Sequence, residues 1–179
     1  PDAITYAGNG EPTLHPAFSA VVDDTIRLRD IYAPEALVTV RSNASMLHHE
    51  EVFQALLRLD NNIQKLDTGI GKTFRLVNNP IQPVNCDELI QNLKRFQGEV
   101  IIQTMFLRGQ FHGKQFDNTT EEEVSAWLDK LKEIRPKSVM IYPIARATPL
   151  HDIKKIATFE LEKIAERVRA AGIEVEVYQ

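Results

Sequence analysis

The feature that most narrows the folds open to this chain is a repeated order of short apolar segments and amphipathic ones, joined by turns rich in glycine, asparagine or proline. Residues 3–7, 36–40, 62–67, 100–107, 138–142 and 173–178 have the length and the β-branched or aromatic content of strands. Between them, apolar residues at helical spacing mark helices over 16–32 and 159–170 and one around Val52, Phe53, Leu56 and Leu57. Two more helices run from an Asn85 cap to Gly98 and from a Thr120 cap to Pro136, with Glu88 and Glu123 placed as capping-box partners. Trp127 falls on the inward stripe of the second of these, and its helical period assigns it to the core. The stretch 69–86 is long for a strand-to-helix loop and reads as a functional loop or a short inserted helix, and 108–118 reads as a polar loop. Alternation of this kind predicts an α/β protein with a parallel sheet, right-handed crossovers and a ligand site at the carboxyl ends of the strands.

Composition bounds the partners. The 179 residues are 43% hydrophobic, enough for one substantial core, and one domain over 1–179 is the expectation. With 21 basic and 25 acidic residues the net charge of -4 offers no overall attraction to nucleic acid. No apolar run approaches the roughly 20 residues of a membrane span and the start lacks a signal-peptide layout, so a cytoplasmic location is expected. Cys86 is the single cysteine, which excludes an intrachain disulfide and a multi-thiolate metal site; it reads as a small residue at a helix start. His15, His48, His49 and His112 lack metal-site spacing, so no metal ligand is expected. Thr68-Gly69-Ile70-Gly71-Lys72-Thr73 lacks the first glycine of a phosphate loop, which argues against a nucleotide triphosphatase.

The polar residues at the strand ends are Asn9, Gly10 and Glu11; Ser42 and Asn43; Lys65 and Asp67; Gln103; and Tyr142 followed by Arg146. Each also has a plain reading. Glu11 and Asn43 can fix their own turns, Lys65 and Asp67, two apart on one strand, can form a salt bridge, and Arg146 can lie solvated. The turn at 8–16, Gly-Asn-Gly-Glu-Pro-Thr-Leu-His-Pro, together with Ser42-Asn43, Lys65-Leu66-Asp67 and Tyr142-Pro143-Ile144-Ala145-Arg146-Ala147-Thr148-Pro149, resembles the radical S-adenosylmethionine superfamily. Within it the chain is most similar to the Fe-S oxidoreductases related to wyosine-type tRNA-modifying enzymes.

That resemblance covers nearly all of the chain and implies a partial TIM-type barrel of consecutive parallel βα units. It implies a 4Fe-4S cluster held by a Cys-x-x-x-Cys-x-x-Cys loop, which this sequence does not contain. The expectation is therefore a core domain truncated upstream, inactive by itself, whose full-length parent carries the cluster ligands. On the same basis Asn9, Gly10 and Glu11 would face the amino group of S-adenosylmethionine, and Ser42 and Asn43 its carboxylate or ribose. Lys65 or Asp67 would contact ribose or carboxylate, Gln103 would face cofactor or substrate, Tyr142 and Ile144 would lie beside the adenine, and Arg146 would touch substrate. The implied reaction is reductive cleavage of the cofactor to a 5′-deoxyadenosyl radical that abstracts hydrogen, using an external electron donor. An RNA nucleoside is the implied substrate class; a protein partner, as for activators of glycyl-radical enzymes, or a non-catalytic binding module are the alternatives.

Overall fold

The computed structural model describes residues 1–7, 10–81, 84–111, 113–144 and 152–179. Its strands are β1 (Ala3–Tyr6), β2 (Leu37–Ser42), β3 (Asn61–Lys65), β4 (Ile101–Phe111), β5 (Lys114–Asp117), β6 (Ser138–Pro143), β7 (Lys154–Lys155) and β8 (Val175–Val177). The helices are α1 (Phe18–Tyr32), α2 (Glu50–Leu56), α3 (Gly71–Asn78), α4 (Cys86–Lys94), α5 (Glu121–Ile134) and α6 (Thr158–Ala170). The sheet order β1-β2-β3-β4-β6-β8 is parallel throughout, so the carboxyl ends of all six strands share one edge. This is the expected α/β architecture of consecutive strand-helix units.

Alternation along the strands sorts the side chains into two layers. Val38, Val40, Leu66, Ile102, Phe106, Val139 and Ile141 are all fully shielded, forming the core with the helices. Trp127 packs edge-on against Phe106 at 5.2 Å and donates to the Leu66 carbonyl at 3.2 Å, so α5 is fixed to the sheet by shape and by a hydrogen bond. The opposite face carries Thr39, Arg41, Asn61, Lys65, Gln103, Met105, Met140 and Tyr142, which register pairing aligns across β2, β3, β4 and β6. A parallel sheet with one polar, partly open face departs from the usual two-sided burial and marks that face as a place for a ligand.

Two segments depart from the sequence reading. The stretch 69–86 holds the inserted helix α3. The stretch 108–118, expected as a loop, is instead an antiparallel ribbon: β4 continues past the parallel sheet and pairs with β5 from Arg108↔Asp117 to Phe111↔Lys114, with β7 on its other side. Its polar residues alternate with Phe111 and the buried Phe116, a period of two. At the other end of the sheet, β1 is paired on one side only among the described residues, and α1 beside it leaves Leu28, Ile31 and Tyr32 exposed.

Candidate functional site

The turn after β1 and the turn after β2 are built around Glu11. Its carboxylate accepts from the Thr13 N–H at 3.0 Å, from the Thr13 hydroxyl at 2.5 Å and, through the second oxygen, from the Asn43 N–H at 2.5 Å. Glu11 thereby caps the short 3-10 turn Pro12–Leu14 and ties it to β2. The Asn43 side chain accepts from the Ser45 N–H at 2.9 Å, an Asx turn, and the buried Ser42 hydroxyl accepts from the Ala44 N–H at 3.1 Å. Ser42 pairs with Gln64 on the helix-facing side, so it does not join Lys65, Gln103 and Tyr142 on the open face. A Cβ at Gly10 would meet nothing within 4 Å, leaving that backbone accessible. Asn9 and Arg146 lie outside the described residues.

Lys65, Gln103 and Met140 stand at one level on adjacent strands, with Met105 and Tyr142 paired one step nearer the carboxyl edge. Lys65 Nζ sits 2.8 Å from the fully shielded Asp67 carboxylate and 3.0 Å from Asn78 Oδ1. Asp67 also accepts from the Met105 N–H at 2.8 Å, while the buried Asn118 side chain donates to the Asp67 and Met105 carbonyls at 2.9 Å each. A buried carboxylate without partners would be costly; here the Met105 N–H satisfies Oδ1, while Oδ2 has the Lys65 charge beside it but no hydrogen bond. The Gln103 amide makes no hydrogen bond to any described residue. Burial, followed by the Asp67 carboxylate, pushes the Tyr142 phenol well above its ordinary range, with Arg41 opposing. Tyr142 is therefore a neutral hydroxyl at physiological pH. Ile144 is half-buried just beyond β6.

Two further charged groups lay outside the sequence-based set. Arg41 is the penultimate residue of β2 and projects from the open face with Thr39; its position in period with Thr39 was the available signal. Glu123, read as a capping partner, turns inward instead: it is buried, accepting from the Thr68 hydroxyl at 2.6 Å and also from Thr73. The Thr68 hydroxyl in turn accepts from the Ile70 N–H at 2.9 Å. The protein's own carboxylate thus occupies the start of α3. Gly69 is pressed against α5, where a Cβ would lie 2.5 Å from the Ala126 carbonyl oxygen. This segment is a packing joint at Gly69, and its Thr68 and Thr73 hydroxyls are engaged by Glu123.

Among the described residues no three His, Cys, Asp or Glu side chains are grouped to hold a metal. Cys86 is buried at the start of α4, its thiol pushed up to about 11 by burial and then by Asp87. A 4Fe-4S cluster does not fit the residues present.

No family model matches the chain. Among solved structures it resembles a domain of pyruvate-formate lyase-activating enzyme from Bacteroides vulgatus, with a TM-score of 0.69 and 16% identity over 98% of both chains. Streptococcus suis SuiB, solved alone and bound to S-adenosylmethionine, matches with TM-scores of 0.70 and 0.69, 17% identity, 99% of this chain and 39% of that one. The chain shares the fold of these two proteins. At these identities the likeness is one of architecture. Curated relatives include a protein named GTPase Obg from Brachyspira hyodysenteriae, 28% identical over 98% of this chain and 25% of its own length. A UPF0026 protein of Synechocystis is 29% identical, covering 83% of this chain and 52% of its own. Another, from Methanocaldococcus jannaschii, is 30% identical over 75% and 39%. The chain therefore spans between a quarter and about half of these relatives.

Proposed function

We propose that this chain is the S-adenosylmethionine-binding part of a radical S-adenosylmethionine enzyme. The observation that carries the reading is the row of polar groups on the open face at the carboxyl edge, Lys65 with Asp67, then Gln103, then Tyr142, on the fold that SuiB shares when bound to S-adenosylmethionine. Bound beside a one-electron donor held by another part of the parent protein, the cofactor would supply hydrogen-abstracting radical chemistry, with methionine as the leaving group. The chain's own residues bind and orient. Both Glu11 oxygens are engaged, so Glu11 holds the turn and the backbone carbonyls around Gly10 take the ammonium. Lys65, set by Asp67 and Asn78, faces ribose or carboxylate, and Gln103 and the neutral Tyr142 hydroxyl face the nucleoside.

In this reading the cluster ligands come from a further strand-helix unit of the parent protein. Support comes from the unpaired side of β1 and the exposed Leu28, Ile31 and Tyr32 of α1, the two surfaces such a unit covers in a parallel sheet. The test is anaerobic reconstitution of the parent protein with iron and sulfide, followed by reduction and assay of 5′-deoxyadenosine. Formation of the nucleoside upholds the reading. A parent that assembles no cluster or leaves S-adenosylmethionine intact rejects it.

A further inference from the structure

The antiparallel ribbon leaves a row of main-chain groups turned outward. Odd-numbered residues of β4 direct theirs toward β3 and then β5: the Gln103 carbonyl accepts from the Leu66 N–H at 3.0 Å, and the Leu107 carbonyl from the Asn118 N–H at 3.3 Å. β5 therefore stands beside β4 where β3 has ended. With Leu107 bonded to Asn118, the register makes Gly109↔Phe116 and Phe111↔Lys114 the hydrogen-bonded pairs. Gln115 and Asp117 consequently point their N–H and C=O groups away from β4, and neither residue bonds another described residue through them.

This edge opens on a cavity of about 700 Å³ that both residues line. Gln115 is exposed, and the half-buried Ile70 and Leu76 give the cavity apolar surface. Its unspent charges are of both signs: Lys72 and Lys154 stand against Glu122 and Asp152, none in an ion pair with a described residue. The remaining charges are already engaged, Arg108 with Asp117 and Glu160, and Glu123 with Thr68 and Thr73. A nucleic acid needs an excess of positive charge, which this set does not have. An extended polypeptide supplies what the edge does not find within the fold, N–H and C=O groups at strand spacing, with alternate side chains directed to one face.

We propose that the outer edge of β5 docks an extended polypeptide segment of a partner protein, pairing through Gln115 and Asp117 and seating an apolar side chain against Ile70 and Leu76. Docking here is independent of cofactor binding, and its test uses no cofactor.

A random-peptide library displayed on phage is selected against the chain. An enriched peptide is then synthesised plain and in two copies, N-methylated on one or the other set of alternate residues. Gln115→Pro removes an outward N–H, a change that edge strands tolerate, and leaves the bonds of Lys114 and Phe116 to β4 in place. Slow exchange of the Phe116 amide checks that the ribbon is intact; if it opens in this variant, the methylated peptides decide on the unaltered chain. Each lost main-chain bond weakens binding by about twofold to tenfold. The expected result, read by fluorescence anisotropy, is a loss of that size or more for Gln115→Pro and for one methylated copy only, with peptide slowing amide exchange at Gln115 and Asp117. No enrichment overturns the proposal, as do enriched peptides that bind Gln115→Pro and both methylated copies as tightly as the plain form binds the chain. A concentration-dependent dimer that Gln115→Pro dissolves assigns the edge to a second copy and likewise overturns it.

Discussion

The Glu11 carboxylate accepts the Asn43 N–H at 2.5 Å, joining the turns that follow the first two strands of the sheet. Glu11→Ala removes this bond and the two to Thr13, leaving backbone donors to water or unpaired. The expected cost is about 1 to 2 kcal/mol, the low end for a charged acceptor because the site is partly solvated. Urea denaturation measures it, and faster amide exchange confined to Thr13 and Asn43 identifies the lost bonds as the cause.

Lys65 and Asp67 make an asymmetric pair, with side-chain exposures of 27% and 0%. Lys65→Met strands a shielded carboxylate and costs about 2 to 4 kcal/mol. Adding Asp67→Asn removes the charge while preserving an acceptor for Met105 N–H, so the double variant is more stable than Lys65→Met alone. A thermodynamic cycle showing strict additivity contradicts the pairing.

Buried hydroxyls surround Glu123. Glu123→Leu leaves Thr68 and Thr73 without their acceptor and is expected to cost about 2 to 4 kcal/mol, most of it recovered in Glu123→Gln. The same geometry predicts that the chain shows no saturable GTP binding with magnesium present. Calorimetry decides both.

The strand-to-helix joint at Gly69 has no room for a side chain. In Gly69→Ala the new methyl meets the Ala126 carbonyl oxygen at 2.5 Å and the Trp127 nitrogen at 2.9 Å, both backbone, so α5 must shift. A loss of about 1 to 3 kcal/mol follows, with a perturbed Trp127 emission spectrum as its local signature.

Cys86 couples stability to alkaline pH. Its thiol is raised in the folded state from an ordinary value of 9.0 to about 11, so above pH 9 the unfolded chain releases its proton first. Unfolding stability therefore has a component that is complete below pH 9 and falls away between about 9 and 11, which Cys86→Ala removes. At pH 8 alkylation of the native protein is slow relative to the denatured chain.

The strands and helices were legible where each carries a period and a stop, as in α5, whose Thr120 cap, Trp127 stripe and end before Pro136 all read directly from the residues. The ribbon was not, because Gln110 and Gln115 on one face and Lys114 on the other have the polarity of a loop and only Phe111 and Phe116 betray the alternation. The candidate residues were readable as strand-end positions along the chain, and less so as directions. Ser42 and Lys65 both end strands, yet register turns Ser42 toward the helices and Lys65 to the open face. Glu123 at the third position of a helix satisfied a local pattern, but two hydroxyls brought near by the fold compete for its carboxylate, and that competition is invisible locally.

The Asn118 side chain bonds two carbonyls and accepts the Leu107 N–H at 2.8 Å, locking the ends of β3 and β4 together with Asp67. Across the sheet, β1 has one neighbour and hangs on Glu11. On the proposed reading, a ligand on the open face rests against a centre cross-linked by Asp67 and Asn118 and an outer turn held by Glu11, so one carboxylate frames the whole β1 side of the site.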